Sequence, residues 1–183
     1  VVTVTGKTYD GTTAVAPGNI TAVVKPGDLV DLADTITITG LTGSYQDAGA
    51  GTGKTVVLDS TGASTTADPA KYTVSYPATA LADITPKQVT VTVALSGDGL
   101  HTDDSVTPPT YSYDYDGAEK TPNVTVTADD GAVLAAGDYD VSYADNRNVG
   151  QATVTVAAKA GGNYTFNAVE VKFTIQRAGA ALT

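Results

Sequence analysis

The feature that most constrains the fold is a set of short stretches in which apolar and polar residues alternate. Val1–Thr5, Gln88–Leu95 and Val169–Ile175 each carry an apolar side chain at every second position. Successive side chains of a strand point to opposite faces, so this period predicts strands with one buried and one wet face. Glu, a frequent helix former, occurs only twice, and threonine and valine, which favour strands, are abundant. The chain is therefore predicted to be all-β.

Charge and residue usage exclude several classes of partner and chemistry. The net charge of −10 argues against nucleic acid as a partner, because phosphate binding needs clustered Lys or Arg. The absence of cysteine excludes disulfides, thiolate metal sites and cysteine nucleophiles. No run of apolar residues is long enough to span a bilayer, so we expect no membrane insertion.

A Tyr-Asp-Gly motif occurs twice and indicates an internal repeat. It lies at Tyr9–Gly11 within Gly6–Thr13 and returns at Tyr115–Gly117. Asp bonds to its own following backbone and Gly accepts positive φ, so each copy predicts a turn. The segment Ile84–Lys87 is similarly matched by Ile175–Ala178. A repeated order of motifs is the signature of tandem units.

The repeat predicts domain boundaries. We expect one domain over residues 1–86, a second over 87–178, and the start of a following repeat or a tail over 179–183. The alternating segments Thr35–Thr39 and Tyr72–Tyr76 are predicted to be strands, and Gly97–Pro109 is predicted to be a polar loop. The chain is expected to be an excerpt from a longer tandem array.

Several motifs, taken in order, carry a resemblance to known families. Unit one resembles the YDG repeat of bacterial adhesins through Lys7–Thr13, Gly51–Val56, Tyr72-Thr73 and Ile84–Lys87. The second unit resembles an Ig-like repeat of Gram-positive surface proteins. Its matching segments are Tyr115–Gly117, Lys120–Pro122, Asp138–Tyr143, Asn148–Gly150 and Gly162–Thr165. The entry of this unit, Gly97–Pro109, departs from that pattern as an extended loop.

The resemblance implies a fold and a role. It implies two tandem Ig-like β-sandwich domains in series, extracellular on a bacterial cell surface or cell wall, in a fragment of a larger secreted adhesin. Such modules serve as a stalk that holds a distal domain away from the cell. Partners would be neighbouring repeats and, in addition, a host or matrix protein or a glycan. The alternative is a ligand-binding adhesin or carbohydrate-binding module that uses end loops such as Gly97–Pro109.

The sequence offers no catalytic set, so we expect that the protein is not an enzyme and has no cofactor. We also expect a monomer. The candidate for a metal is Ca²⁺, on Asp103, Asp104, Asp114 and Asp116. Ca²⁺ needs six or more oxygen ligands, and no complete loop of that kind is present. Turn-forming aspartate is therefore the favoured interpretation. His101 has no second histidine or cysteine to form a metal or catalytic site with.

A covalent cross-link between lysine and an Asp or Asn side chain is a further hypothesis for a surface domain without cysteine. The candidate pairs are Lys7 with Asp83, and Lys87 with Asn163 or Asn167. The alternative, solvated lysine, is favoured because unpaired lysine is rarely buried.

Tyrosines recur at matched places in the two units and allow two interpretations. They are Tyr9, Tyr72, Tyr76, Tyr139, Tyr143 and Tyr164. The favoured one is a buried ring with a bonded hydroxyl, and the alternative is an exposed adhesive patch.

Overall fold

The computed structural model describes residues 1–179, so residues 180–183 of the predicted following repeat or tail lie outside the described part. The described chain is all-β and contains a single-turn 3-10 helix at Pro26–Asp28. No helix within residues 1–179 has the length and apolar character needed to cross a membrane. The chain divides into two compact units, Val1–Lys87 and Gln88–Thr183.

Unit 1 is built from eight short strands. A four-stranded sheet has the order β2-β8-β6-β5, and two further pairs are β1-β3 and β4-β7. In chain order the strands are β1 (Val2–Val4), β2 (Lys7–Thr8), β3 (Ile20–Ala22), β4 (Ile38–Thr39), β5 (Thr42–Tyr45), β6 (Gly51–Asp59), β7 (Ser64–Thr65) and β8 (Thr79–Thr85).

Unit 2 contains the longer strands. A five-stranded sheet has the order β11-β12-β17-β15-β14, and the remaining pairs are β10-β13 and β9-β16. In chain order the strands are β9 (Lys87–Gln88), which begins at the unit boundary, β10 (Val91–Ser96), β11 (His101–Asp103), β12 (Thr110–Asp114), β13 (Asn123–Ala128), β14 (Tyr139–Ala144), β15 (Gly150–Ala158), β16 (Tyr164–Thr165) and β17 (Val169–Gln176).

The two units share one strand plan. In each large sheet an early strand runs parallel to the last strand: β2 to β8 in unit 1, and β12 to β17 in unit 2. The last strand pairs antiparallel with the long strand β6 or β15. That long strand pairs antiparallel with the edge strand β5 or β14. The register also matches: Ile84 of β8 is opposite Gly51, and Ile175 of β17 is opposite Gly150. Farther along, Tyr45 pairs with Val56 in unit 1, and Tyr143 pairs with Val154 in unit 2. This correspondence supports the inferred repeat.

Each unit has its own core, and the cores differ in size. In unit 1 five hydrophobic residues are buried: Val4, Tyr45, Val56, Ala82 and Ile84. In the described part of unit 2 the buried set has thirteen members, most of them from the five-stranded sheet and the β10-β13 pair. Tyr113 and Phe173 meet there edge to face, with ring centroids 5.6 Å apart. Hydrophobic stabilisation scales with apolar area buried, so unit 2 has the larger driving force for folding.

Three local predictions are corrected by the structure. Only Ile38–Thr39 of the predicted strand Thr35–Thr39 is in a ladder, because the Thr37 N–H donates to the Thr66 hydroxyl rather than to a backbone carbonyl. Tyr72–Tyr76 alternates but belongs to no ladder. Its first side chain instead bonds a loop, since the Tyr72 hydroxyl accepts from the Val30 N–H and donates to Asp34. The predicted loop Gly97–Pro109 contains β11, which pairs with β12.

Candidate functional site: a lysine beneath each Tyr-Asp-Gly turn

In unit 1 the Tyr-Asp-Gly turn encloses the ammonium group of Lys7. The Nζ atom of Lys7 lies 2.7 Å from Asp10 Oδ1, donates to the Thr12 carbonyl at 2.7 Å, and donates to the Ala14 carbonyl at 3.0 Å. Nζ also lies 5.4 Å from the centroid of the buried Tyr45 ring, a distance suited to a cation–π contact. The Lys7 side chain is 13% exposed. A lysine this buried is stabilised by being paired and fully hydrogen-bonded.

The turn itself is held by the same aspartate. Asp10 Oδ1 accepts from the Thr12 N–H at 2.9 Å and from the Thr12 hydroxyl at 2.9 Å, while Gly11 adopts φ +75°. The Lys7 ammonium, followed by the Thr12 N–H, lowers the pKa of Asp10 to about 2. Asp10 is therefore ionised throughout the neutral range, and it acts as a fixed acceptor rather than as an acid.

Unit 2 builds the same arrangement with a lysine from the other side of the motif. Lys120 Nζ lies 2.7 Å from Asp116 Oδ2, and its side chain is 11% exposed. The ammonium lies 5.4 Å from the ring centroid of Tyr113. The hydrogen bond from Lys120, together with the Ala118 N–H, lowers the pKa of Asp116. Lys7 precedes its aspartate by three residues, whereas Lys120 follows its aspartate by four.

Both turns are fastened at the same places in the sheet. The Tyr9 N–H donates to the Thr85 carbonyl at 2.8 Å, and the Tyr115 N–H donates to the Gln176 carbonyl at 2.9 Å. Thr85 and Gln176 occupy equivalent positions, one residue after Ile84 and Ile175.

The far side of each turn bonds to the edge strand or to the turn that follows it. In unit 1 the Tyr45 N–H donates to the Thr13 carbonyl, and in unit 2 the Lys120 N–H donates to the Asn146 carbonyl. We name the Lys–Asp–Tyr group and its turn the latch: Lys7, Asp10 and Tyr45 in unit 1, and Lys120, Asp116 and Tyr113 in unit 2.

The sequence predicts the turn of each latch but not the contacts of its lysine. The Tyr-Asp-Gly turns are predicted correctly, but the favoured interpretation of Lys7 as a solvated lysine is wrong, because its ammonium is enclosed and paired. The roles of Lys120 and of the Tyr45 and Tyr113 rings were missed. A signal was present, since a lysine lies within four residues of each motif aspartate. The ring partner of Lys7 comes from the distant strand β5, so only the fold brings Tyr45 under that lysine, whereas Tyr113 lies on β12, directly before its own motif. Burial raises the pKa of both the Tyr45 and Tyr113 hydroxyls, so both rings stay neutral and can face a cation.

Three tyrosine hydroxyls, one of them from the unit 1 latch, donate to backbone carbonyls. The Tyr143 hydroxyl donates to the Pro122 carbonyl at 2.7 Å, the Tyr139 hydroxyl to the Val124 carbonyl at 3.3 Å, and the Tyr45 hydroxyl to the Asp83 carbonyl at 3.2 Å. These rings match the interpretation of a buried tyrosine with a bonded hydroxyl. Tyr115 is more exposed, at 39%.

The four Ca²⁺ candidates are not gathered at one point. Asp103 accepts from the Ser105 N–H and hydroxyl, which lowers its pKa, and Asp116 is held by Lys120. Asp103 is opposite Thr110 at the start of β12, whereas Asp114 ends that strand, so the two lie about 13 Å apart along it. Asp104 is exposed. Within residues 1–179 no three His, Cys, Asp or Glu side chains gather closely enough to hold a metal ion.

In the first cross-link pair, Lys7 and Asp83 each hydrogen-bond to other groups. The Lys7 ammonium bonds within its own turn, whereas Asp83 Oδ1 accepts from the Gly53 N–H at 2.7 Å on the exposed side of β8. His101, the lone histidine, is exposed and has its Nε2 atom 3.5 Å from Asp114 Oδ2.

Of the second cross-link pair, Lys87 lies in a strand and Asn163 directly precedes one. Lys87 begins β9, which pairs with β16 immediately after Asn163. The Asn163 N–H donates to Oδ1 of the buried Asp138 at 3.1 Å, so an acid lies beside this asparagine. The bond between Lys87 and Asn163 stays a prediction, as does the alternative partner Asn167.

Comparison with known proteins supports the first resemblance. The family model of the YDG domain matches residues 1–80, which lie within unit 1. The matched segment contains the whole unit 1 latch and ends as β8 begins. Comparison with curated proteins and with solved structures found no match.

Proposed function

We propose that the chain is a pair of spacer modules from a stalk on a bacterial cell surface, built as two Ig-like sandwiches in series. The observation that carries the proposal is the repetition of one strand plan in two directly consecutive units. A repeated module without a linker adds length by copying, which is what a spacer needs. The match of residues 1–80 to the YDG domain supports the module assignment of unit 1. In this proposal unit 2 is an Ig-like repeat of Gram-positive surface proteins.

The chemistry of the latches favours a structural role. Both lysines are paired with an ionised aspartate and covered by a ring, so they serve as fixed donors rather than as nucleophiles. The net charge of −10 adds repulsion between neighbouring chains on a crowded surface, which would keep such stalks apart.

A display experiment tests the spacer proposal. A reporter domain is anchored to a bacterial surface through no unit, unit 1 alone, or the full chain, and binding of a bulky antibody to the reporter is measured. We expect antibody binding to rise with each added unit. A full chain in which unit 2 is replaced by an unrelated folded domain of equal length is the matched control, and it should perform as well. Equal antibody access with and without the chain would contradict the proposal.

The alternative, a binding module, has one supporting observation. β11, β12 and the end of β17 line a shallow concave surface that includes His101, Asp103, Tyr111 and Gln176. Part of this surface comes from the predicted end loop Gly97–Pro109. Screening the full chain on glycan and matrix-protein arrays tests it. A ligand whose binding is lost in Asp103→Ala and retained in the distant Asp28→Ala would favour the adhesin over the spacer.

A further inference from the structure

In each unit an early strand and the last strand are parallel neighbours. Lys7 and Thr8 of β2 lie opposite Ile84 and Thr85 of β8. In unit 2 the parallel ladder is longer, because Ser112, Tyr113 and Asp114 of β12 lie opposite Thr174, Ile175 and Gln176 of β17. The Tyr115 N–H extends this ladder by one bond, to the Gln176 carbonyl.

Parallel pairing decides how tension acts on the hydrogen bonds. In a parallel pair the beginning of one strand and the end of the other lie at opposite ends of the ladder. Tension applied through both chain ends therefore slides the two strands past each other, and all the ladder bonds carry the load together. An antiparallel pair pulled at its open end unzips instead, and its bonds break one after another.

The latch anchors the end of the strand on which tension acts. In unit 2 the turn after β12 is held by the Lys120–Asp116 pair, by the Asn146 side chain on the Lys120 carbonyl at 2.9 Å, and by Arg147 Nε on the Gly117 carbonyl at 3.0 Å. Pulling β12 toward its beginning also pulls on this turn. The strand is thus retained both along its length and at its end.

We propose that each unit is a mechanical clamp, in which the parallel ladder resists tension in shear and the latch prevents the strand from sliding. When tension enters through the chain ends, the clamp is loaded only after the strands that precede it detach. These are β1 from β3 in unit 1, and β9 from β16, β10 from β13 and β11 from β12 in unit 2. The clamp of unit 2 is the stronger, because its ladder has more pairs. This inference rests on the proposed spacer function, since a stalk transmits force between a cell and whatever its tip holds.

Pulling direction provides the first test. The chain has no cysteine, so handles attach at chosen positions only. Two variants of the full chain are stretched as single molecules. Pro109→Cys, directly before β12, with Gly179→Cys loads the unit 2 clamp in shear, and Asp140→Cys with Lys159→Cys pulls the open end of the β14-β15 pair. We expect a clearly higher unfolding force in the first geometry. An equal or lower force there would overturn the proposal.

A backbone variant provides the second test. Tyr115→Pro removes the N–H that donates to Gln176, and Tyr115→Phe keeps it. With shear handles at a constant force, we expect Tyr115→Pro to unfold about three- to tenfold faster than Tyr115→Phe, as the loss of one hydrogen bond implies. Val141→Ala in the edge strand β14 controls for general destabilisation: it should lower the denaturation midpoint and leave the unfolding rate under force nearly unchanged.

The outcomes separate this inference from the spacer proposal. Equal unfolding rates for the two Tyr115 variants would contradict the clamp. If antibody access in the display experiment still rises with each unit, the spacer function stands without the clamp. A strong clamp with no effect of the units on display would remove the spacer function and leave the mechanical property of the fold.

Discussion

At the scale of single residues, Lys7 is the side chain on which the unit 1 turn depends most. Its ammonium bonds to one carboxylate and two backbone carbonyls while its stem is buried against the core. Replacing it leaves two carbonyls without their donor, although the half-exposed Asp10 can turn to water. The loss is therefore smaller than for a fully buried pair.

We expect Lys7→Met, which keeps the length of the side chain and removes the charge, to lower the free energy of unfolding of unit 1 by about 1–2 kcal/mol. Hydrogen exchange of unit 1 amides in the full chain measures this, with unit 2 amides as an internal reference. Lys25→Met at an exposed position is the matched control and should change exchange little. Equal effects of the two variants would show that the latch does not stabilise the turn.

Asp10 makes unit 1 sensitive to acid. Its folded pKa of about 2 lies below the ordinary value of 3.8, so its stabilising contribution is fully present above about pH 4 and is lost as the pH falls toward 2. Asp10→Asn should lower stability at pH 7 and flatten the pH dependence of unit 1 exchange in that window. Other aspartates with lowered pKa values, such as Asp47, keep part of the dependence. Asp28→Asn, at an exposed site, is the control and should leave the stability of unit 1 at pH 7 nearly unchanged.

At the scale of strands, Gly40 joins β4 to β5 at a close approach between two backbones. It adopts φ +73°, and a Cβ atom there would lie 2.3 Å from the Gly62 carbonyl oxygen. Gly40→Ala therefore adds a steric clash to backbone strain, and we expect the β4-β7 pair to open. Gly18→Ala separates the two causes, because Gly18 has φ +89° and no atom within 4 Å of the added Cβ.

The strain alone in Gly18→Ala should cost about 1–2 kcal/mol. Gly40→Ala should cost more, and it should raise the exchange rate of the Thr66 amide, which bonds to Thr37. If the two variants destabilise unit 1 equally, the contact with Gly62 carries no cost.

The strands themselves show what a sequence of this kind can predict. The segments with clean alternation, such as Gln88–Leu95 and Val169–Ile175, overlap observed strands because one face of each meets a core. Tyr72–Tyr76 alternates equally well and is not a strand, since alternation cannot reveal whether a neighbouring strand is available for pairing. The Tyr-Asp-Gly turns are local and were predicted. The contact of Lys7 with the Tyr45 ring depends on strand order and could not be predicted from the sequence, because Tyr45 lies on another strand.

At the scale of the whole molecule, the shared plan and the unequal cores lead to a final prediction. Unit 1 buries five hydrophobic residues in its core and residues 88–179 of unit 2 bury thirteen, so unit 1 should unfold at the lower urea concentration. Val56 and Val154 occupy equivalent places and are both 0% exposed, which makes them a matched pair of probes.

Val56→Ala and Val154→Ala should each cost about 2 kcal/mol, because each removes two methyl groups from a closed core. If the units unfold separately, Val56→Ala lowers the midpoint of the first transition and Val154→Ala lowers that of the second. Unit-specific amide signals followed by NMR along a urea titration identify which unit each transition belongs to. A single transition, lowered by both variants alike, would mean that the two units unfold together and that the small core of unit 1 draws its stability from outside itself.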